Sequence, residues 1–556
     1  FDLNFTQAAG GVAKSTYGIA IVSAGGVSQL LQGSIAGKEQ SGFSSVIRNG
    51  GNSLVINQAA SSTISGWPGI VTQNDGKGST DITVAGSVAS LSASGISGLP
   101  KPPGNALGIT NGSTAVDLTV TQSGGSISGS GGIIARNNGS GTTSISTSGT
   151  VTATNAGLGI TNGANAKDLK ITQNGGEISG AGVGVTSDNQ GAGSTVVNTV
   201  ASVKSANGPA FGITNGVKAK GLMITQSASG TIDAAAGIST QNNGVGETKI
   251  ETLGAIKANN GPGITTANDA KDAISLTVAQ TAGSITSTSA SISTRNTSGG
   301  DTVITTTTTL LSTAGLGINS EQRKAGELKI TQSGGAIDGF VTGIGATNTG
   351  KGSTQIVVLG NVKASGPAGE SSGVGVFATA GEYEDGTAED KDKDNDNAHA
   401  GKVTVTQAPG TTVSGTNWGF GLNQYGPQPM EFSTQGTIVG GSGGGIYTAS
   451  INPPGTPVIL EMLSGADISA SSGIAIRDGG GQAQLTLHGG SKVTGHIRLG
   501  SNSDTMLVLP GAVISPDTEI DGGSTAAGAD LLGSTTWTNK LTFQGGTLTR
   551  AGATIL

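Results

Sequence analysis

The pentapeptide Gly108-Ile109-Thr110-Asn111-Gly112 returns unchanged at residues 159–163 and 212–216. Variants follow at Gly263-Ile264-Thr265-Thr266 and Gly317-Ile318-Asn319. The steps between the leading glycines are 51, 53, 51 and 54 residues. A weaker signal, an aliphatic residue four before an Asn, falls between them: Ile134/Asn138, Val185/Asn189, Ile238/Asn242, Ile292/Asn296 and Ile344/Asn348, with Ile70/Asn74 upstream. The underlying period is therefore roughly 25 residues, the length of one solenoid coil.

Each period carries three short apolar patches. One has Ile109, then Leu118 and Val120, then Ile127; the next has Ile134, Ile145 and Val151. Gly, Asn, Ser and Thr, the residues that turn a chain, lie between them. Alternation of the kind seen in Asp117-Leu118-Thr119-Val120-Thr121-Gln122 marks strands with one face in and one out. The fold expected is all-β: a right-handed, three-faced parallel β-helix of about 18 coils, with a C-terminal cap. The stack is expected to place Ile109, Ile134, Ile160, Val185, Ile213 and Ile238 on one inner face. Two series recur at alternate coils. One is Asn138, Asn189, Asn242, Asn296 and Asn348; the other is Gln122, Gln173, Gln226, Gln280 and Gln332. These read equally well as hydrogen-bonded amide ladders and as simple turn preference.

Composition agrees with a thin, repetitive core. There are 99 Gly, only 3% aromatic residues and 11% charged residues, about half the usual charge. Disordered chains carry more charge than this. Cys is absent, so no disulfide and no Cys–zinc site can form. No apolar run is long enough for a membrane-spanning helix. Residues 382–396 hold eight acids and two lysines, most of the net charge of −7. The remainder is nearly neutral, and no basic surface for nucleic acid is expected.

Three segments depart from the repeat. Residues 97–105, with Pro100, Pro102 and Pro103, read as a surface loop. Residues 378–402 read as a solvated acidic loop. Counting from Asp390, the sixth and twelfth positions hold Asn395 and Gly401, where an EF-hand needs Gly and Glu. The third segment gathers Trp418, Phe420, Tyr425, Phe432 and Tyr447. These aromatics either fill a wider core or bind a partner, and they are the candidate partner-binding residues. The organisation expected is a repetitive β-helix over 1–377, the acidic insertion over 378–402, degenerate coils over 403–485, and C-terminal coils with a cap over 486–556.

The last of these regions carries a resemblance. Gly490-Ser491-Lys492-Val493-Thr494-Gly495-His496-Ile497-Arg498-Leu499-Gly500 is followed by Ser503-Asp504-Thr505-Met506-Leu507-Val508-Leu509 and by Ile520-Asp521-Gly522-Gly523. This resembles the distal coils of autotransporter passenger domains, the pertactin-like group in style. The close resemblance covers about the last 70 residues; the rest is similar only in coil pattern. It implies display on the outside of a bacterial cell, or release from it. Trp537, Leu541, Phe543 and Leu548 would belong to a folding cap, and any membrane contact would run through a C-terminal β-barrel that this sequence does not contain.

Catalytic constellations are sparse. The only histidines are His399, His488 and His496. Gly440-Gly441-Ser442-Gly443-Gly444 matches G-x-S-x-G formally, without its strand–turn–helix setting. Asp117, Asp168 and Asp272 recur at what read as matching repeat positions, as solvated strand-edge charges. The function expected is therefore non-catalytic: a virulence factor or adhesin that binds a host-cell surface protein, a glycan or itself. No cofactor and no metal are expected. The alternatives are a secreted effector that engages a host receptor and, less favoured, a β-helical glycan-cleaving enzyme.

Overall fold

The computed structural model describes residues 3–15, 19–37, 43–47, 52–90, 104–369, 372–381, 400–450, 456–499, 504–515, 517–521 and 540–543. They contain no helix; parallel strands build a β-solenoid of about 18 turns. The chain divides into two compact units, Phe1–Ile274 and Ser275–Leu556.

In the first unit a representative coil has strands Leu118–Gln122, Ser126–Gly129 and Gly131–Asn137. These lie on what we term the first, second and third faces. Each strand pairs parallel with its equivalent one coil on, at Thr143–Thr147, Thr150–Ala153 and Ala156–Asn162. The second unit repeats the plan, for example in Leu328–Gln332, Ala336–Gly339 and Thr342–Asn348. Alternate residues of each strand point inward, so Leu118, Val120, Ile127, Ile133 and Ala135 are all buried. Coil closure needs tight corners. Gly125 and Gly176 turn the chain after the first face at φ 63°, and a Cβ at Gly125 would lie 2.1 Å from the Gly86 carbonyl oxygen.

The polar interior explains why the sequence repeats every two coils. The first inward position of the first face alternates Leu118, Thr143, Leu169, Thr195, Leu222, Thr248. Its last position alternates Gln122, Thr147, Gln173, Thr199, Gln226, Thr252. Leucine coils thus carry a buried Gln amide, and threonine coils carry hydroxyls. Asn closes the third face of every coil, from Asn111 through Asn137, Asn162, Asn189, Asn215 and Asn242 to Asn268.

These groups stitch a leucine coil to the threonine coil that follows. The Asn189 amide donates to the Thr195 hydroxyl at 3.0 Å, and that hydroxyl donates to the Asn215 Oδ1 at 2.6 Å. Asn137–Thr143–Asn162 and Asn242–Thr248–Asn268 repeat the relay. At the opposite corner, Gln173 Nε2 donates to the carbonyls of Gly176 and of Ser202 in the next coil, both at 3.0 Å, while Thr199 donates to Gln173 Oε1. In the second unit Thr306 donates to Gln280 Oε1 at 2.6 Å. Gln122/Thr147 and Gln226/Thr252 stand in the same register without that bond. A pair of coils is therefore the structural module.

The ladder and turn readings of the amides prove to be one arrangement: the Asn side chains bond within their turns, and every second one reaches the next coil through Thr. The Asn ladder also runs through successive coils from Asn111 to Asn268 and not only through alternate ones, and one of the expected members is misplaced. Asn137, not Asn138, is in register with Asn162. Asn138 is half-buried and accepts a hydrogen bond from Arg136 Nε at 3.0 Å. The core stack needs a matching correction. Ile109, Ile160 and Ile213 form one buried column that also includes Ala135 and Ser187. Val185 and Ile238 belong to the neighbouring buried column with Leu158 and Phe211, whereas Ile134 pairs with Gly159 and points outward. Adjacent Ile133 and Ile134 are equally apolar, and only the strand pleat selects between them.

This geometry sets an expected outcome. Asn242 accepts from Gly244 N at 3.0 Å and from the Asn215 amide at 3.3 Å, and it donates to the Thr248 hydroxyl at 2.9 Å. Asn242→Ala strands buried donors and should cost about 3 kcal/mol in equilibrium unfolding. Asn138→Ala should cost under about 0.5 kcal/mol. Equal losses from the two substitutions would contradict the relay.

The acidic insertion from 382 to 399 lies outside the described residues, as does most of the proline segment. The described flanks move two expected boundaries: Ala378–Ala380 end a third-face strand, Val374–Ala380, and Asn105 begins another, Asn105–Asn111. Trp537 and Leu548 of the expected cap also lie outside the description. Leu541 and Phe543 lie on a strand that pairs parallel with Thr505–Val508.

Candidate functional site

The third face of the second unit loses its regular small outward residues between Val374 and Arg477. Strands Val374–Ala380, Trp418–Gln424, Gly444–Ser450 and Asp467–Asp478 stack there in order. One outward column reads Phe377, Gly421, Tyr447, Arg477. The glycine leaves a gap between two bulky neighbours, so a cleft opens over Gly421. Its volume is about 700 Å³, and Phe377, Asn417, Trp418, Asn423, Ser442, Tyr447 and Arg477 are among the residues that line it.

Glycines also let the rings lie flat on the wall. A Cβ at Gly443 would come within 2.5 Å of the Trp418 indole, and one at Gly479 within 2.8 Å of the Tyr447 hydroxyl. The Trp418 and Tyr447 rings are 5.3 Å apart and tilted by 42°. Both are half-buried. Burial pushes the Tyr447 hydroxyl above its ordinary range, which keeps it a protonated hydrogen-bond donor at neutral pH.

The five aromatics singled out by sequence divide. Trp418 and Tyr447 come together in the cleft. Phe420 and Phe432 are buried at 0% and 1% exposure and meet edge to face at 4.8 Å. They fill the core, as the packing alternative held, and cannot touch a partner. Tyr425 is half-buried in the turn after Gln424 and does not line the cleft. Sequence reading missed Phe377, Asn417, Asn423 and Arg477. Phe377 and Arg477 were legible in principle, as bulky residues at an outward position of third-face strands where most other coils hold Gly, Ser or Thr.

No family model, no curated protein and no solved structure matches this chain. Ser442 Oγ contacts the Thr416 carbonyl at 3.4 Å, and neither a histidine nor a carboxylate is among the described residues that line the cleft. Gly440–Gly444 form the corner between two strands. Of the described histidines, His488 pairs with Glu461 at 2.5 Å and His496 Nδ1 accepts from Glu519 N at 3.1 Å. His399 lies outside the description.

The acids expected as solvated charges have a structural task. Asp117 Oδ1 accepts Thr142 N, and Asp168 Oδ1 accepts Ser194 N, each at 2.8 Å and one coil on. Asp272 does not share that position, which Ser275 occupies ahead of Leu276. Among the described residues no group of three or more His, Asp or Glu could hold a metal. Two acids do leave the solvent: Asp478 and Asp504 are 4% and 1% exposed. Asp478 stands in an inner column shared with Ala378, Leu422 and Thr448, and accepts from the Thr448 hydroxyl at 2.8 Å; Asp504 accepts Ala483 N at 2.8 Å. Burial raises both carboxyls to about 7, with the charge of Asp504 adding to the effect on Asp478.

Proposed function

We propose that this chain is a non-catalytic binding module of a bacterial surface protein of autotransporter-passenger type, an adhesin that engages a host-cell glycan or surface protein through the Trp418–Tyr447 cleft. The observation that carries the reading is the cleft itself. Two solvent-accessible rings, an arginine and several amide and hydroxyl groups converge on the outer wall of an otherwise small-residue solenoid. Exposed aromatics beside free polar groups are the ordinary means of gripping a ligand without reacting with it. Among the described residues the lining supplies no His, Asp or Glu as general base or acid, which favours binding over turnover. The parallel solenoid supports the passenger reading, since it matches the coil pattern of the resemblance in the last 70 residues.

Binding of the purified chain to host cells tests the reading. Joint replacement of Trp418 and Tyr447 by Ala should reduce binding at least about tenfold, the loss of roughly 1.4 kcal/mol. Phe420→Leu, a core change away from solvent, should leave binding intact while lowering stability by about 1 kcal/mol. Undiminished binding by a folded double variant would remove the cleft from the function.

A further inference from the structure

Resting on the binding reading above, we propose that the cleft takes an acidic oligosaccharide, with a sugar ring seated over Gly421 against Trp418 and Tyr447 and its carboxylate held by Arg477. Four observations converge on this chemistry. Gly421 stands in register between Phe377 and Tyr447, so the two bulky residues are two coils apart, roughly 10 Å at the usual strand spacing. That gap admits a flat ring. A volume of about 700 Å³ suits a short oligosaccharide and not a folded partner element.

The polar groups suit sugar hydroxyls. The Asn423 amide, the exposed Ser442 hydroxyl and the protonated Tyr447 hydroxyl surround the aromatic surface. Rings of this kind stack on the apolar C–H faces of a sugar while the side groups take its hydroxyls.

Charge selects the class of sugar. Arg477 is exposed and makes no ion pair among the described residues, in a chain whose net charge is −7. Its neighbour Asp478 points inward and is buried. Among the described residues no acid lines the cleft to compete for the guanidinium, which can then grip a carboxylate with two parallel hydrogen bonds.

The backbone argues against a peptide. Strand Trp418–Gln424 is paired on both edges, with Val374–Ala380 and with Gly444–Ser450, so no main-chain edge is open for strand addition. Recognition falls to side chains alone.

Calorimetry of the full chain with 3′-sialyllactose, a galacturonic acid trisaccharide and lactose tests the proposal. At least one of the two acidic sugars should bind at least tenfold more tightly than lactose. Arg477→Gln should abolish that preference, and Trp418→Ala should abolish binding altogether. Salt should weaken the acidic sugar and leave any lactose binding unchanged. Equal binding of lactose and the acidic sugars, unaffected by Arg477→Gln, would overturn the acidic class while leaving the cleft as a glycan site. If no sugar binds but Trp418→Ala still lowers attachment to host cells, the ligand is a protein and the glycan proposal falls alone. If neither sugar nor cell binding responds to Trp418→Ala, both the proposal and the binding reading fall.

Discussion

Excision of residues 143–194 should leave a chain that folds and unfolds much like the parent, whereas excision of the shorter segment 143–168 should destabilise it by on the order of 5 kcal/mol. The longer cut removes one threonine coil and one leucine coil and joins Thr142 to Thr195. Asn137 then meets the Thr195 hydroxyl in place of Thr143, so the Asn–Thr stitch is remade, and Gln122 meets Thr199, which restores the Gln/Thr register of the parent. The shorter cut joins Thr142 to Leu169 and sets two leucine coils face to face. Leu118 would then stack on Leu169, adding volume to a filled layer at a typical cost of 1–3 kcal/mol. Asn137 would lose its hydroxyl partner, and the buried Gln122 and Gln173 side chains would stack in a layer that alternates Gln with the smaller Thr. Each stranded buried group costs about 1–3 kcal/mol. Denaturant unfolding of the two deletions against the parent decides the matter. If the shorter deletion proves as stable as the longer, the module is a single coil and the Leu/Thr alternation carries no structural weight.

Acidification from pH 7 to pH 4 should stabilise the second unit through Asp478 by up to about 4 kcal/mol relative to an Asp478→Asn variant. Burial raises this carboxyl to about 7 from an unfolded value of 3.8. The sign follows from proton binding. Between these values the folded chain holds a proton that the unfolded chain has released, so stability falls as pH rises from about 4 to about 7 and levels off above. Asp504, raised to about 7 as well, acts in the same direction and couples to its neighbour through repulsion. Asp478→Asn keeps the acceptor for the Thr448 hydroxyl and removes the titration. The variant should therefore be more stable than the parent at pH 8 and indistinguishable from it at pH 4. A variant less stable at pH 8 would show that the charged form is favoured in the fold, contrary to its burial.

Both expectations concern the interior, where the parallel solenoid has little else to rely on. Cys is absent and the core is a few aliphatic residues wide. Buried amides and hydroxyls fix the coil register, because a slip of one residue would expose every inward side chain and strand every one of these polar groups. The cleft departs from that economy. Phe377, Trp418, Tyr447 and Arg477 lie on one outer wall and are not among the buried core residues.

The repeat of Gly-Ile-Thr-Asn-Gly, the spacing of apolar patches and the scarcity of charge by themselves determined the parallel three-faced coil. They did so because a coil cannot bury its apolar side alone, so a period of this length must stack. The two-coil periodicity was equally visible in the Gln series. Its cause was not, since Thr143 and Leu118 occupy the same inward position only once the strands are laid in register. The pleat likewise decided between Ile133 and Ile134, and between Asn137 and Asn138, pairs whose members are too alike in chemistry for sequence to separate. Sequence gathered five aromatics into one segment; tertiary structure sent Phe420 and Phe432 inward and brought Trp418 to Tyr447. It also added Phe377 from before the acidic insertion and Arg477 from beyond it. Residues tens of positions apart become neighbours because each coil returns the chain to the same wall, and which of them face outward depends on a strand period of two that a one-residue shift reverses.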